Sequence, residues 1–451
     1  MLSFFAKEDR LTLFSCQVFW SSEPKIKYAN NLLARKCKRP YFFPRSIRMN
    51  ILIVAQHFPP ERGAVRRLFE FARYFVRNGH TVSVMTAIPN YPDGIVPAKY
   101  RGKFFQSEVM EGVTVYRNWI IPASNRYPGK RMFGFLVFFV TALINSFRIK
   151  GTFDVVVAST PPVTTPVLGW LISRFRRAKF IIEVRDLQPE SAEDFGNLNR
   201  SFFTRLVKSI VHSFYRKADK IVSVTDGITD YLVAIGIPSE RVVTVKSGFS
   251  SEFVEAGFNG IRKKFGWEEK FLVVYAGTLG WAHSLETVIE AASQMTEHSD
   301  ICFVFVGDGN KRQSLEEMAR QHNLTNIAFV GAQPLETIPH FLKTSDVLVE
   351  SLKEVPVTKG TFPAKLYEYM ASGRPIVFGS RDGEAVKELN KAGGALSFPT
   401  DDPGRLRDLI LKLKSGQIDG NNLGQRYLEH ATLHHRREIW AEKYLKTLQE
   451  M

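Results

Sequence analysis

The sequence predicts an α/β protein made of two Rossmann-like domains. From Met49 onward, short apolar segments alternate with segments of helical periodicity. Apolar strands separated by helices are typical of a parallel sheet covered on both faces. The pattern starts again at Lys270, after a polar, glycine-bearing stretch at 247–267. We therefore predict one domain at 49–255 and a second at 265–425.

The elements of the first domain follow from its hydrophobic pattern. A helix that ends at Gly79 follows the first strand, because its apolar residues recur at helical spacing and glycine is a common helix terminator. The predicted strands are Ile51–Ala55, Thr81–Thr86, Val113–Arg117, Val155–Ala158, Phe180–Val184, Lys220–Val224 and Val242–Val245.

The second domain shows the same alternation. Its strands lie in the segments KFLVVYAGTLG, ICFVFVGDGN, IAFVGAQP, VLVES and PIVFGS. The last residues, 426–451, predict one long amphipathic helix, in which we expect His434 and His435 to be exposed. Residues 1–48 have no sustained period and precede the first buried strand, so we expect them to lie outside the fold.

The composition restricts the partners. The 451 residues carry a formal net charge of +16, which favours anionic partners such as phosphorylated molecules or acidic lipid. The positive residues are spread along the chain rather than gathered with aromatic residues, so we expect no nucleic acid. The three cysteines have no CxxC spacing, which argues against a disulfide framework or a zinc module. We expect no metal.

The apolar run Phe133–Phe147 is flanked by basic residues. It is shorter than the roughly 20 residues that cross a bilayer, so we predict no transmembrane segment. A buried helix is the favoured interpretation, and a helix lying in the membrane surface is the alternative.

Ligands of such folds bind beyond the carboxyl ends of the strands. Gly63 lies in the first of these loops, Arg185 and Asp186 follow a later strand, and Gly277-Thr278-Leu279-Gly280 opens the second domain's first loop. Each has a structural explanation: a plain turn for the glycines, and a loop-tying salt bridge for Arg185 and Asp186. The alternative is a polar site at the strand ends.

The stretch TFPAKLYEYMASGRPIVFGS predicts a helix over Pro363–Ser372, because Pro363 suits its first turn and Gly373 its end. Lys365 adds positive charge to the positive helix end, and Glu368 lies three residues later. If this end faces a cleft, free amides and Lys365 can hold a diphosphate while Glu368 accepts hydrogen bonds from ribose. The alternative is a surface ion pair between Lys365 and Glu368.

From Met49 to its end the chain resembles the family-4 glycosyltransferases of the GT-B fold. The resemblance rests on an ordered set of segments: HFPPERGAVRRLFEFARYFVRNGHTVSVMT, PNYPDG, EVRDLQPES, KADKIVSVTDGITDYLVAIGIPSERVVTVKSGF, VYAGTLGWAHSLETVIEA, FVGDGNKRQSLEEMA and FPAKLYEYMASGRPIV. It implies two domains facing across a cleft and retaining, metal-free transfer of a sugar from a nucleotide sugar. The most similar branch transfers N-acetylated amino sugars, L-fucosamine among them, to lipid-linked intermediates of surface polysaccharides.

The resemblance also assigns residues. It implies that Glu368 binds the ribose of a UDP-sugar, that the amides of Thr361–Lys365 meet the phosphates, and that Gly63 faces the diphosphate. The loop around Gly331 and Ala332 would contact uracil, and Asp186 would lie beside the donor sugar with Arg185 before it. The expected enzyme works at the cytoplasmic face of an anionic membrane.

Three positions depart from the family. The family's second glutamate is replaced by Gly360, and the Arg and Lys that clamp the diphosphate fall at Thr278 and His283. Lys365 is our candidate replacement for the missing cations. An alternative function on the same fold is a UDP-sugar epimerase, which needs acid/base carboxylates such as Asp186, Glu190 or Glu193.

Overall fold

The computed structural model describes residues 48–61, 65–124, 127–196, 201–257 and 260–451. The predicted extension, apart from Arg48, and the predicted site residue Gly63 lie outside these ranges.

The first domain is built on an eight-stranded sheet in the order β3-β4-β2-β1-β5-β6-β7-β8. All neighbouring strands are parallel except β3 and β4. The strands are β1 Asn50–Ala55, β2 Thr81–Ala87, β3 Phe105–Met110, β4 Val113–Asn118, β5 Val155–Thr160, β6 Lys179–Val184, β7 Lys220–Ser223 and β8 Val242–Thr244.

Helices cover both faces of this sheet. They are α1 Val65–Arg77, α2 Pro128–Ser146, α3 Thr164–Arg176, α4 Glu190–Asp194, α5 Phe202–Lys217 and α6 Asp226–Ala234. Short helices α7 Glu252–Glu255 and α8 Ile261–Phe265 lie in the stretch between the domains.

The second domain has a parallel six-stranded sheet in the order β11-β10-β9-β12-β13-β14. Its strands are β9 Phe271–Ala276, β10 Ile301–Val306, β11 Ile327–Gly331, β12 Val347–Ser351, β13 Ile376–Gly379 and β14 Leu396–Phe398. Its helices are α9 Leu285–Ser293, α10 Arg312–Gln321, α11 Ile338–Thr344, α12 Pro356–Lys359, α13 Ala364–Ser372, α14 Glu384–Lys391, α15 Pro403–Lys414, α16 Gly420–His434 and α17 Arg437–Gln449.

The predicted strands are confirmed to within two residues at each end, because apolar residues form the buried part of each strand. The two strands that the sequence did not indicate, β3 and β14, lie at sheet edges. Strand β3 carries the polar sequence FQSEVM and none of its residues is fully buried. An edge strand exposed on one side gives little hydrophobic signal.

The prediction of one C-terminal helix is wrong. Helix α16 ends at His434 and α17 begins at Arg437, with Arg436 in an extended conformation between them. Helix α17 returns to the first domain, where the Tyr444 ring packs edge-on against Phe71 and Phe75 of α1 at 5.9 and 5.7 Å. The C-terminal amphipathic sequence therefore forms two helices, α16 and α17, which pack in two different cores.

The prediction that Phe133–Phe147 forms a buried helix is also wrong for one face of that helix. Within α2 and just after it, apolar side chains spaced three or four residues apart are exposed, whereas Phe138 and Ala142 are buried. The exposed set is Met132, Phe133, Leu136, Val140, Ile144 and Phe147. Among the residues that the structure describes, no helix is long and apolar enough to cross a bilayer.

The carboxyl ends of the two sheets face each other. Thr225, which follows β7, donates a hydrogen bond to the carbonyl of Gly360 at 2.8 Å. The amide of Gly227 donates to the carboxylate of Glu384 at 2.7 Å, and the amide of Val357 donates to Asp194 at 2.9 Å. The loops that the parallel strands place at these edges therefore line one cleft.

Candidate active site at the facing sheet edges

Helix α13 brings the predicted motif to the cleft. Pro363 is its N-cap, and Gly373 ends it in the left-handed conformation with φ 73°, as the sequence predicts. The Tyr369 hydroxyl fixes the helix to β9, because it accepts a hydrogen bond from the amide of Ala276 at 2.7 Å and donates to the carbonyl of the same residue at 3.1 Å. The start of α13 is thus held against the end of β9.

Lys365 lies in a buried charge cluster. Its ammonium is 2.8 Å from Oε2 of Glu350, which is fully buried on β12, and it donates a hydrogen bond to the Tyr275 hydroxyl at 2.8 Å. Nδ1 of His283 lies 2.7 Å from the other Glu350 oxygen. Both carboxylate oxygens of Glu350 are buried, so Lys365 and His283 are the groups that balance its charge.

These charges are strongly coupled. Burial disfavours the ionised form of Glu350, but Lys365 and His283 outweigh it and hold the pKa of this carboxyl below its usual range. Burial also lowers the pKa of Lys365, and Glu350 opposes that shift. Without a ligand, Lys365 is therefore paired with Glu350. Equally, the alternative of an ion pair between Lys365 and Glu368 is not formed.

Glu350 and Tyr275 were not among the predicted site residues. A signal was present, since Glu350 is a charged residue within the otherwise apolar run VLVES. A carboxylate on a strand buried on both faces needs a cation. Pairing to Lys365 could not be read from the sequence, because the two residues lie on different elements.

Glu368 has a different environment. Among the described residues none donates a hydrogen bond to its carboxylate or forms an ion pair with it. Burial raises the pKa of Glu368 to about 7, and the positive charges of Arg437 and Arg66 oppose this shift. A carboxylate that is partly buried and lacks a partner is a candidate ligand-binding group.

The glycine loops pack closely around the start of α13. A Cβ on Gly277 would lie 2.5 Å from Nζ of Lys365, and one on Gly307 would lie 1.9 Å from the carbonyl oxygen of Gly277. The amide of Gly307 donates to the carbonyl of Gly331 at 2.9 Å. These glycines therefore bring the ends of β9, β10 and β11 together at the cleft, with Ala332 exposed beside them.

Thr361 and Thr278, which the sequence placed near the diphosphate, already form hydrogen bonds within the protein. The amide of Thr361 donates to the carbonyl of Thr358 at 3.1 Å, so Thr361 is not one of the free amides that the sequence suggested. Its hydroxyl donates to the carbonyl of Val357 at 2.9 Å. The carbonyl of Thr278 accepts a hydrogen bond from the Tyr275 hydroxyl at 2.6 Å, which shapes the loop after β9.

Arg185 and Asp186 follow β6 at the opposite edge. Burial lowers the pKa of Arg185, and the charges of Glu183 and Asp186 oppose that shift. Glu183 is fully buried and paired with Arg67 of α1, so Arg185 lies near a buried ion pair whose carboxylate favours its charged form. The side chain of Asp186 has an exposed surface, but the surrounding protein raises its pKa. Of this pair, Asp186 is the better candidate for contact with a ligand.

Glu190 does not meet the needs of acid/base catalysis. It accepts a hydrogen bond from the Tyr231 hydroxyl at 2.5 Å and contacts Nε2 of His212 at 3.1 Å. Burial alone would raise its pKa, but these hydrogen bonds lower the pKa to about 2. A carboxylate that stays ionised cannot donate a proton near neutral pH, which removes one of the groups that an epimerase would use.

Gly360, which replaces the second family glutamate, touches the opposite domain. A Cβ on Gly227 would lie 2.2 Å from Cα of Gly360, and one on Gly360 would lie 3.1 Å from Cα of Gly227. The two backbones meet so closely that a side chain at Gly227 would clash with Gly360, while one at Gly360 would make a tight contact. The residue that stands in place of the family's second glutamate therefore contacts the first domain directly.

A second ionisable cluster lies where the chain crosses between α16 and α17. His435 is buried, which corrects the expectation of exposure, whereas His434 is exposed. Nε2 of His430 and Nε2 of His435 lie 2.9 and 2.8 Å from one oxygen of Glu388, a set that could hold a metal ion. Hydrogen bonds explain these distances, and Nδ1 of His435 is buried without the partner that metal-bound imidazoles usually have.

Comparison with known proteins agrees with this arrangement. Residues 62–248 match the glycosyl transferase 4-like domain, and residues 257–430 match the family of glycosyl transferases group 1. The chain is 24% identical over 356 residues to WcaI of Escherichia coli, a glycosyl transferase assigned to colanic acid biosynthesis; the match covers 76% of this chain and 85% of WcaI.

Two further relatives are informative. The alpha-D-kanosaminyltransferase of Streptomyces kanamyceticus is 26% identical over 225 residues, which is 48% of this chain and 55% of that enzyme. The crystal structure of HepE of Anabaena with UDP and glucose superposes with a TM-score of 0.68 at 15% identity and covers 89% of this chain and 100% of HepE. The structural likeness establishes the fold.

Proposed function

We propose that this chain, which matches a glycosyl transferase 4-like domain and a group 1 domain on a GT-B fold, transfers an N-acetylated amino sugar from a UDP-sugar to a lipid-linked saccharide. The reaction would retain the anomeric configuration and serve surface polysaccharide biosynthesis. The observation that carries the proposal is Glu368, a partly buried carboxylate without a protein partner at the cleft edge of the nucleotide-side domain.

In the proposed complex the nucleotide lies along the start of α13. Glu368 accepts hydrogen bonds from the two ribose hydroxyls, and the exposed backbone at Ala332 contacts uracil. The diphosphate lies at the first turn of α13 beside the Gly277 loop, where backbone amides and the remaining N–H of Lys365 donate to it. These groups stabilise the charge that develops on the leaving diphosphate, and no metal is required.

The acceptor hydroxyl would attack the anomeric carbon on the face that the diphosphate leaves. Asp186 lies at the opposite edge of the cleft, where it can position the donor sugar. Its exposed carboxylate can accept hydrogen bonds from sugar hydroxyls. Positioning of this kind accounts for a large part of enzymatic rate acceleration.

Two relatives support the choice of donor and pathway. The kanosaminyltransferase that matches nearly half of this chain transfers an amino sugar, as its name states. WcaI is assigned to colanic acid biosynthesis, and colanic acid is a polysaccharide. We extend both properties to this chain.

The outer face of α2 supports an acceptor held in a membrane. Phe133, Leu136, Val140 and Phe147 are 52–64% exposed on this face, and the Phe147 ring contacts Phe175 of α3 at 5.6 Å. Exposed basic residues flank the helix at Lys130, Arg148 and Lys150. An apolar face bordered by cations matches an anionic membrane surface, so we propose peripheral binding to the cytoplasmic leaflet.

Product analysis tests the proposal. The protein is incubated with UDP-N-acetylglucosamine, UDP-N-acetylgalactosamine, UDP-N-acetyl-L-fucosamine or UDP-glucose, with and without a lipid-diphosphate-sugar acceptor. We expect a product that keeps the anomeric configuration of the donor, and only when the acceptor is present, as determined by mass spectrometry and NMR. Epimerised UDP-sugar formed without acceptor would support the epimerase instead.

A further inference from the structure

His283 lies in the loop after β9, at the edge of the site proposed for the diphosphate. Its amide donates a hydrogen bond to the carbonyl of Gly280 at 3.1 Å. The amide of the next residue, Ser284, donates to the carbonyl of Ser351 at the end of β12, also at 3.1 Å. These hydrogen bonds tie the loop to two neighbouring strands, so the backbone that carries the imidazole is fixed.

One ring nitrogen of His283 faces a buried carboxylate. Its Nδ1 lies 2.7 Å from Oε1 of Glu350, which is fully buried on β12. A carboxylate can only accept a hydrogen bond, so Nδ1 carries the proton when the imidazole is neutral. In that form Nε2 has a lone pair and no proton to donate.

Nε2 is the nitrogen that a ligand can reach. The His283 side chain is 13% exposed, and among the residues that the structure describes none forms a hydrogen bond with Nε2. The imidazole lies 5.9 Å from the Tyr275 ring, and the ammonium of Lys365 lies over the same ring at 4.2 Å. The imidazole is therefore beside the first turn of α13, where the proposed complex places the diphosphate.

The negative charge beside His283 is already matched when no ligand is bound. Glu350 carries one charge, and the ammonium of Lys365 lies 2.8 Å from its other oxygen. Burial raises the pKa of Tyr275 well above its usual value, so this phenol stays neutral and adds no negative charge. A proton on Nε2 of His283 thus has no carboxylate of its own to pair with, and a diphosphate would supply the missing negative charge.

Further positive charge lies along the same loop. Trp281, two residues before His283, is 53% exposed. The ammoniums of Lys311 and Lys353 lie 5.2 and 5.8 Å from the centre of its ring. Lys311 is paired with Glu286, whereas Lys353 forms no ion pair within the described part of the chain. The electrostatic environment of the loop therefore favours an anionic ligand.

We propose that His283 binds the donor in its protonated form: one proton moves from solvent to Nε2 when the UDP-sugar binds, and Nε2–H then donates a hydrogen bond to the diphosphate. The neutral imidazole would instead turn a lone pair toward the phosphate oxygens. The proton returns to solvent when UDP leaves, so none is consumed in a turnover. Glu350 is a positioning residue, because it holds Nδ1. The role rests on the proposed function and adds that donor binding depends on pH.

The experiment compares wild type with His283→Lys, His283→Gln and the control His322→Gln, all in the full chain. Lysine keeps its charge across the range in which histidine side chains titrate, about pH 5 to 8. His322 is exposed and follows α10, at the end of that helix away from the cleft. Calorimetry measures the affinities for UDP and uridine, and titrations in two buffers of different ionisation enthalpy measure the protons taken up.

The comparison with His283→Lys removes the titration of the ligand, since the terminal phosphate of UDP itself titrates near pH 6. Between about pH 6 and pH 8 the UDP affinity of wild type should fall about tenfold further than that of His283→Lys, because a charge-assisted hydrogen bond is lost. Wild type should also take up more protons on binding UDP. Uridine, which lacks the diphosphate, should show neither difference.

The two glutamine variants separate this role from a structural one. His283→Gln should bind UDP more weakly than wild type at about pH 6 and similarly to it at about pH 8, where the wild-type imidazole is neutral. His322→Gln should match wild type at both values. A lower melting temperature of His283→Gln with the wild-type dependence of UDP affinity on pH would restrict His283 to holding the loop.

The same pH dependence of UDP affinity in wild type and His283→Lys would overturn the role of His283 and assign the titration to Lys365 or to the ligand. If UDP binds with the expected pH dependence but no sugar is transferred, the proposed function fails while the role of His283 stands. Sugar transfer without this pH dependence would overturn the inference alone. Absence of UDP binding to wild type would overturn both.

Discussion

The ammonium of Lys365 lies 2.8 Å from a carboxylate oxygen of Glu350, although the two residues belong to different elements and Glu350 is fully buried. The pair places a neutralised cation at the start of α13, where the helix already carries partial positive charge. Glu350 thus explains how the helix tolerates Lys365 when no ligand is bound.

We predict that Lys365→Met destabilises the protein by about 3–5 kcal/mol, because it leaves Glu350 buried without its cation. The double variant Lys365→Met/Glu350→Gln should recover most of this loss, which urea unfolding measures. If Lys365 also binds the diphosphate, the double variant should still bind UDP more weakly than wild type, and its affinity for uridine should be unchanged. Equal affinities of the double variant and wild type for UDP would restrict Lys365 to a structural role.

Glu368→Gln should weaken UDP and uridine alike, by about ten- to a hundredfold, because charge-assisted hydrogen bonds to the ribose contribute roughly 1.5–3 kcal/mol. Calorimetric titration with both ligands checks this. Lys365→Met serves as the matched comparison, since it should affect UDP far more than uridine. A Glu368→Gln protein that binds uridine normally would contradict the ribose assignment.

The pH dependence of Glu368 gives a separate prediction. Its pKa is raised from 4.5 to about 7 in the folded protein, so the folded state binds more protons than the unfolded state between these values. The extra proton on Glu368 therefore favours the folded state. Its contribution to the unfolding free energy is complete below about pH 4.5 and is lost as the pH rises to 7. Glu368→Gln should therefore be more stable than wild type at pH 8, by about 1–3 kcal/mol, and nearly equal to it at pH 4.5. A pH-independent difference in unfolding free energy would show that the carboxyl is not perturbed.

The contact between Gly227 and Gly360 should be intolerant of a side chain. Gly227→Ala places a Cβ 2.2 Å from Cα of Gly360, so the domains must separate. We expect a larger radius of gyration in X-ray scattering and a loss of about 1–3 kcal/mol in unfolding free energy. Gly129→Ala, which meets no atom within 4 Å, is the control and should change neither.

The apolar face of α2 should bind anionic vesicles. Val140→Asp should reduce the bound fraction in cosedimentation by about tenfold, since burying such a side chain contributes roughly 1.5–3 kcal/mol. Binding of wild type should also weaken at high salt. Ile439→Asp changes a single exposed apolar residue on α17 and should have no effect. Equal binding of wild type to neutral vesicles would contradict the electrostatic part of this proposal.

The sequence by itself determined the two parallel sheets, the limits of most strands and the helix after Pro363. These features depend on local information, because apolar runs, proline and glycine act within a few residues of their own position. The same information indicated Glu368, whose neighbours in sequence define the motif.

Only the tertiary structure decided the partners of the charged residues. Lys365 pairs with Glu350 rather than with its helical neighbour Glu368, and His435 is buried against Glu388 although its segment looks exposed. The structure also divided the C-terminal pattern into α16 and α17. A charge buried in a domain takes the nearest opposite charge in space, and which residue this is depends on how strands distant in sequence are arranged in the sheet.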